Sequence, residues 1–296
     1  MCNYFQYSRA AYYKSLRQHV KDCYSGSIIL DMVLKERHLQ PRLGGKKLYF
    51  MLRSSIHEID PHFGRDKFFD FLRERNLLVK RKQKYCKTTH SWHHFHRYNN
   101  EIKDLFITRY NQVWAADITY LRTENGFVYL SLLTDMFSRK IVGWQLSKSL
   151  SIEGSVFALK KALKDNPLID SLIHHSDRGI QYCSKDYVKI LKKRKIAISM
   201  TEENHCYENA LAERVNGILK NEYLLDMTFR NFSHAEKSCN EAITLYNTRR
   251  PHLSLKYKTP QQVHQAGKQC ASKNNCFNLE KNVKNVNTVE VKTIVF

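Results

Sequence analysis

No stretch of the 296 residues approaches the ~20 consecutive apolar positions that a membrane-spanning helix needs, and no secretion leader opens the chain. The eight cysteines are scattered without a C-x-x-C pair, so a disulfide scaffold is excluded and the sequence reads as a cytoplasmic protein with reduced thiols. Glycine and proline are scarce, ten and five, while aromatics reach 12%, which argues for a packed chain rather than a disordered one. Acidic residues are the most telling shortage: 28 Asp and Glu face 49 Lys and Arg, a net charge of +21. Such a chain takes a polyanion as partner, and without a membrane segment that polyanion is nucleic acid.

The few acids present are placed unusually. Asp117 interrupts the strand-like run QVWAADITYLR, where it shares one face with Ala115, Thr119 and Leu121. Asp177 follows the apolar pair Leu172 and Ile173, at what reads as a strand end, with Gly179 expected to let the chain turn. Glu213 lies in a helical pattern whose apolar side carries Leu211, Val215, Ile218 and Leu225; Glu213 and Lys220 project from the opposite side. Three such carboxylates can converge on divalent metal, since Mg²⁺ takes hard oxygen ligands and few of them from protein. For Asp117 alone, an acid satisfied by neighbouring amides or a basic side chain is the plain alternative.

Residues 1–78 read as helical. Two helices are expected within residues 1–40, the first capped by Ser8 and the second carrying Ile29 and Val33 on its apolar stripe; two more follow between Pro41 and Leu78, broken at Gly44-Gly45 and Gly64. Lys46, Lys47, Arg65 and Lys67 decorate the outside of the second pair, a surface that suits a DNA groove or is simply a solvated basic face. Residues 79–102 form a basic linker. Its first part holds Lys80, Arg81, Lys82 and Lys84 without an acid, which suits an arm lying along DNA; its histidines and Cys86 fit no tetrahedral zinc spacing.

From 103 to 230 the pattern is three strands joined by short turns, then helix, strand, helix, strand, helix. Short connections require antiparallel neighbours, and strands separated by helices return parallel. The expected fold class is therefore α/β, ribonuclease H-like, with three antiparallel and then two parallel strands. Residues 231–265 read as a helical extension carrying Arg249 and Arg250, and 266–296 as a flexible tail.

Five segments, WAADITYL, TDMFSRKIVGW, HHSDRGIQYCS, ENALAERVNGILKNE and YNTRRPHLSL, resemble in order the core of insertion-sequence transposases of the IS-three type, relatives of retroviral integrases. The match includes the Asp, Asp, 35-residue gap, Glu pattern at Asp117, Asp177 and Glu213; Glu208 stands where the family often has Asp. The resemblance implies a helix-turn-helix-like N-terminal region and a two-metal mechanism with Mg²⁺, for which Mn²⁺ substitutes. It also implies cleavage of element ends in double-stranded DNA followed by strand transfer, as a homo-oligomer. The chain resembles the product of the family's second reading frame, whose partner is the upstream-frame product. Lys220, Arg249 and Arg250 become candidate DNA contacts, and His175, Asn209 and Asn216 candidates to support the acids. Asp135 falls outside the triad and reads as a turn or salt-bridge residue. Two rivals keep part of this picture: a transposase-derived DNA-binding regulator without chemistry, and a ribonuclease H-like nuclease that only hydrolyses.

Overall fold

A computed structural model describes residues 8–80, 96, 98–167, 171–202 and 210–272. The chain divides into two compact units, Met1–Lys82 and Gln83–Phe296.

In the first unit, helix α1 runs unbroken from Arg9 to Leu39, where the sequence suggested two helices. Gly26, inside it, costs only about 1 kcal/mol relative to alanine, too little to break a helix anchored further on by buried Ile29 and Val33. Helices α2 (Gly45–Ile59) and α3 (Arg65–Glu74) complete the unit. Leu48 and Ile56 of α2, and Phe68, Phe71 and Leu72 of α3, close a core with Ile29 and Val33.

The second unit is built on a mixed sheet. Strands β1 (Val113–Thr123), β2 (Gly126–Asp135) and β3 (Ile141–Ser147) run antiparallel in sequence. Helix α4 (Ile152–Asp165) then crosses to β4 (Ile173–Ser176), which lies parallel beside β1. The short α5 (Ile180–Cys183) and α6 (Lys185–Lys193) lead to β5 (Ala197–Met200), parallel to β4. The spatial order is β3-β2-β1-β4-β5, with a two-residue β6 (Thr228–Phe229) against the far end of β1. This is the ribonuclease H-like layout expected from the alternation of elements.

Both faces of the sheet are covered, so β1 begins with four buried residues in a row. On one face Leu121, Leu130 and Leu132 pack against α7 (Ala210–Glu222) and α8 (Phe232–Thr248), through Val215, Ile218, Ile243 and Tyr246. On the other, Trp114, Ala116 and Leu133 meet Ala158, Leu159 and Ala162 of α4 and Tyr187 and Leu191 of α6. Helix α4 comes very close to β3: a Cβ at Gly143 would lie 2.5 Å from the Ala158 carbonyl oxygen.

The C-terminal extension corrects the expected boundary at 265. After a 3-10 turn at Leu253–Leu255, helix α9 runs from Pro260 to Ser272. Proline at its first position and the Thr259 hydroxyl, accepting from the Gln262 N–H at 3.2 Å, start it. His264 of α9 is fully buried. It sits 3.1 Å from the Ser138 hydroxyl, which in turn donates to Asp135, and Asp135 also accepts from the N–H of Asn111 at 3.0 Å. Asp135 is therefore a turn residue tied to His264. The remaining tail, residues 273–296, lies outside the described residues.

Candidate active site

Strand register brings two of the acids together. Ala116 of β1 pairs with Ser176 of β4, so Asp117 and Asp177 are the next residues along two adjacent parallel strands, which lie about 4.8 Å apart. Asp177 falls just past the end of β4, and its Oδ1 accepts the Gly179 N–H at 3.0 Å. Gly179 has φ −64, a conformation open to any residue, so the turn itself does not require glycine. The close approach does: a Cβ there would stand 2.9 Å from Asp177 Oδ1.

Helix α7 supplies the third acid. Its Asn216 donates to Asp117 Oδ2 at 2.6 Å, while Asp117 Oδ1 accepts the Ile118 N–H at 2.9 Å. Glu213 precedes Asn216 by three residues and so shares its side of the helix, one turn nearer the helix start. Four residues beyond Asn216, Lys220 lays its ammonium over the Tyr120 ring, 4.4 Å from the centroid. One side of α7 thus presents Glu213, Asn216 and Lys220 to β1.

The acids act on one another electrostatically. Burial pushes the Asp117 carboxyl up to about 7, and the charges of Asp177 and Glu213 push the same way, against the hydrogen bonds from Asn216 and Ile118. Among the described residues no cationic side chain forms an ion pair with Asp117. Burial pulls the Lys220 ammonium down, opposed by the charge of Asp117. A half-buried carboxylate crowded by two others, with no ion pair among the described residues, is a donor set that suits hard divalent ions. Among the described residues no three acid, histidine or cysteine side chains are gathered for a single ion.

The other sequence candidates separate. His175 is fully buried, with Nδ1 2.9 Å from the Ser199 hydroxyl, and lies two residues before Asp177 on the same face of β4. Arg249 is exposed. Arg250, expected on DNA, is 2% exposed and makes a two-pronged ion pair with Glu222 of α7 at 2.7 and 2.8 Å. A buried guanidinium committed to a carboxylate of its own chain is not presented to a phosphate, and that reading is corrected. In the first unit Lys46 and Lys80 are exposed and Lys47 is half-buried. Arg65 and Lys67 pair at the surface with Asp66 and Asp60, at 2.8 and 3.3 Å. Arg81, Lys82, Lys84 and Asn209 lie outside the described residues. Sequence reasoning missed Tyr182, a buried phenol on α5 whose hydroxyl is pushed well above its ordinary range by burial, by Tyr187 and by the charges of Asp177 and Asp117. Its place five residues after Asp177 was the available signal.

Comparison with known proteins finds integrase core domains and insertion-sequence relatives. The integrase core domain family matches residues 107–206, and a second integrase core domain model matches 194–260. An uncharacterized 31 kDa protein of insertion element IS600 from Shigella sonnei is 34% identical over 259 residues, spanning 86% of this chain and 94% of its own length. The transposase InsF of insertion sequence IS3A from Escherichia coli K12 is 36% identical over 143 residues, 48% of this chain and 50% of InsF. The chain belongs to the IS3 family of transposases. It spans nearly all of the IS600 protein and about half the length of the InsF transposase. The HTLV-2 integrase catalytic core in complex with magnesium is similar at 24% identity and a TM-score of 0.42, over 52% of this chain and 96% of that one. As an IS3-family transposase with an integrase core, the chain is a polynucleotidyl transferase of DNA transposition.

Proposed function

We propose that this transposase cleaves the ends of its insertion sequence and joins them to target DNA at the site formed by Asp117, Asp177 and Glu213, working on double-stranded DNA as a homo-oligomer. The observation that carries the reading is the Asn216 to Asp117 hydrogen bond, because it seats α7, and with it Glu213, against the strand pair that holds the two aspartates. Asp117, Asp177 and Glu213 would hold two Mg²⁺ ions. When bound, such ions relieve charge on the attacking and leaving oxygens of a phosphodiester displacement.

The chain's own groups set the stage for that chemistry. Asn216 and the Ile118 N–H fix the Asp117 carboxylate from its two oxygens, and the Gly179 N–H holds that of Asp177. Tyr120 carries the Lys220 side chain so that its ammonium lies within reach of a phosphate beside the acids. Water attacks the phosphorus at the element end and expels the 3′ oxygen; the freed 3′-OH then attacks a target phosphodiester and expels the target strand's own 3′ oxygen, so no serine or tyrosine nucleophile is used.

A labelled duplex bearing the element end, incubated with target DNA and Mg²⁺, tests this. Joined product is expected from the wild type, and neither cut nor joined product from Asp117→Asn, Asp177→Asn or Glu213→Gln. Cut but unjoined product from the wild type would leave a hydrolytic nuclease, and full strand transfer by Glu213→Gln would remove that residue from the site.

A further inference from the structure

Helix α6 lies between β4, whose end leads into Asp177, and the edge strand β5. Tyr187 and Leu191 form its buried side. Lys185, Lys189 and Lys192 fall within about 60° of one another on the opposite side at 100° per residue, and all three are exposed. Lys193, Arg194 and Lys195 extend this exposed basic run past the helix end. The helix dipole accounts for cations in the last turn only; Lys185 stands at the first position, where a cation is disfavoured. Nor does ion pairing account for the stripe, since among the described residues none of these six cations has a carboxylate within ion-pair distance.

We infer that the Lys185, Lys189 and Lys192 stripe is a contact surface for the DNA sugar-phosphate backbone, distinct from Lys220. From Lys185 to Lys192 the stripe measures about 10 Å at 1.5 Å per residue, the axial rise of about three phosphates on one strand. Ammonium groups on flexible stems bind phosphate as point charges without reading bases, so the surface takes duplex of any sequence. The inference rests on the proposed action on DNA.

The test compares the triple variant Lys185→Gln, Lys189→Gln, Lys192→Gln with a control triple, Lys237→Gln, Lys256→Gln, Lys258→Gln. The control removes the same charge from exposed positions elsewhere on the unit. Affinity for a fluorescent linear duplex of arbitrary sequence is measured by anisotropy across a salt series. The stripe variant should lose about 2.7 units of log–log salt slope, about 0.9 per phosphate contact, while the control keeps the wild-type slope. Both should melt as the wild type does, and the stripe variant should still nick when DNA saturates it. An unchanged slope in the stripe variant, or an equal loss in the control, would overturn the inference. Absence of nicking in the wild type would instead sink the proposed function, with the comparison of slopes still deciding the stripe.

Discussion

At the scale of single residues, Asp117 carries a charge that folding has made costly. The two neighbouring acids and the apolar surroundings both disfavour its ionised form. Asp117→Asn should therefore melt at a higher temperature than the wild type in metal-free buffer near pH 8, and Mg²⁺ should raise the melting temperature of the wild type but not of the variant. The Asn216 Oδ1, buried without a hydrogen-bond partner among the described residues, can accept from the new amide once Asn216 flips. A second prediction concerns His174, held to about 3 by burial and by the adjacent His175, against an ordinary value of 6.5. Below 6.5 the unfolded chain takes up a proton that the folded chain refuses, so stability falls with pH, by about 1.4 kcal/mol per unit. Urea midpoints should drop from pH 7 to pH 5, and His174→Gln should flatten that slope; equal slopes would contradict the assignment. The three acids were readable because a carboxylate in an apolar strand or beside one has few uses. Asn216 was readable as a candidate to support the acids, but the spacing does not say which strand residue it meets. Arg250 misled because an arginine pair resembles a phosphate contact, while its partner Glu222 lies 28 residues away.

At the scale of elements, that ion pair joins the end of α7 to the end of α8, with Arg250 also 5.9 Å from the Tyr246 ring centroid. Arg250→Ala strands a carboxylate that is largely shielded from water and should cost about 3–5 kcal/mol in chemical denaturation. The double variant Arg250→Met, Glu222→Leu should recover most of that loss, because two apolar groups need no partner. Gly143→Ala should destabilise by about 1–3 kcal/mol, since backbone rather than a movable side chain stands 2.5 Å from the new carbon; an unchanged denaturation midpoint would mean α4 gives way freely. The order of the first three strands followed from turns too short for anything but antiparallel neighbours. Strand β4 spans Ile173–Ser176, beyond the apolar pair Leu172 and Ile173 that marked it in the sequence, because pairing with β1 rather than apolar content fixes its limits. Elements of four and two residues, α5 and β6, carry no periodicity, so only the folded chain shows them.

At the scale of the whole molecule, the net charge of +21 dominates encounter with DNA. Association rates should fall steeply as ionic strength rises, equally for the wild type and Asp117→Asn, because steering acts before chemistry. A rate indifferent to salt would be incompatible with this charge distribution. Among the described residues no helix is long and apolar enough to cross a membrane. The composition thus indicated the partner class, whereas the C-terminal boundary had to come from packing: His264 looks like any polar helix residue until Ser138 and Asp135 are seen against it. Anchorage of that kind governs how the polypeptide can be trimmed. A version shortened at Tyr257 for crystallisation would strip the Asp135 turn of its cover, so any cut belongs beyond His264.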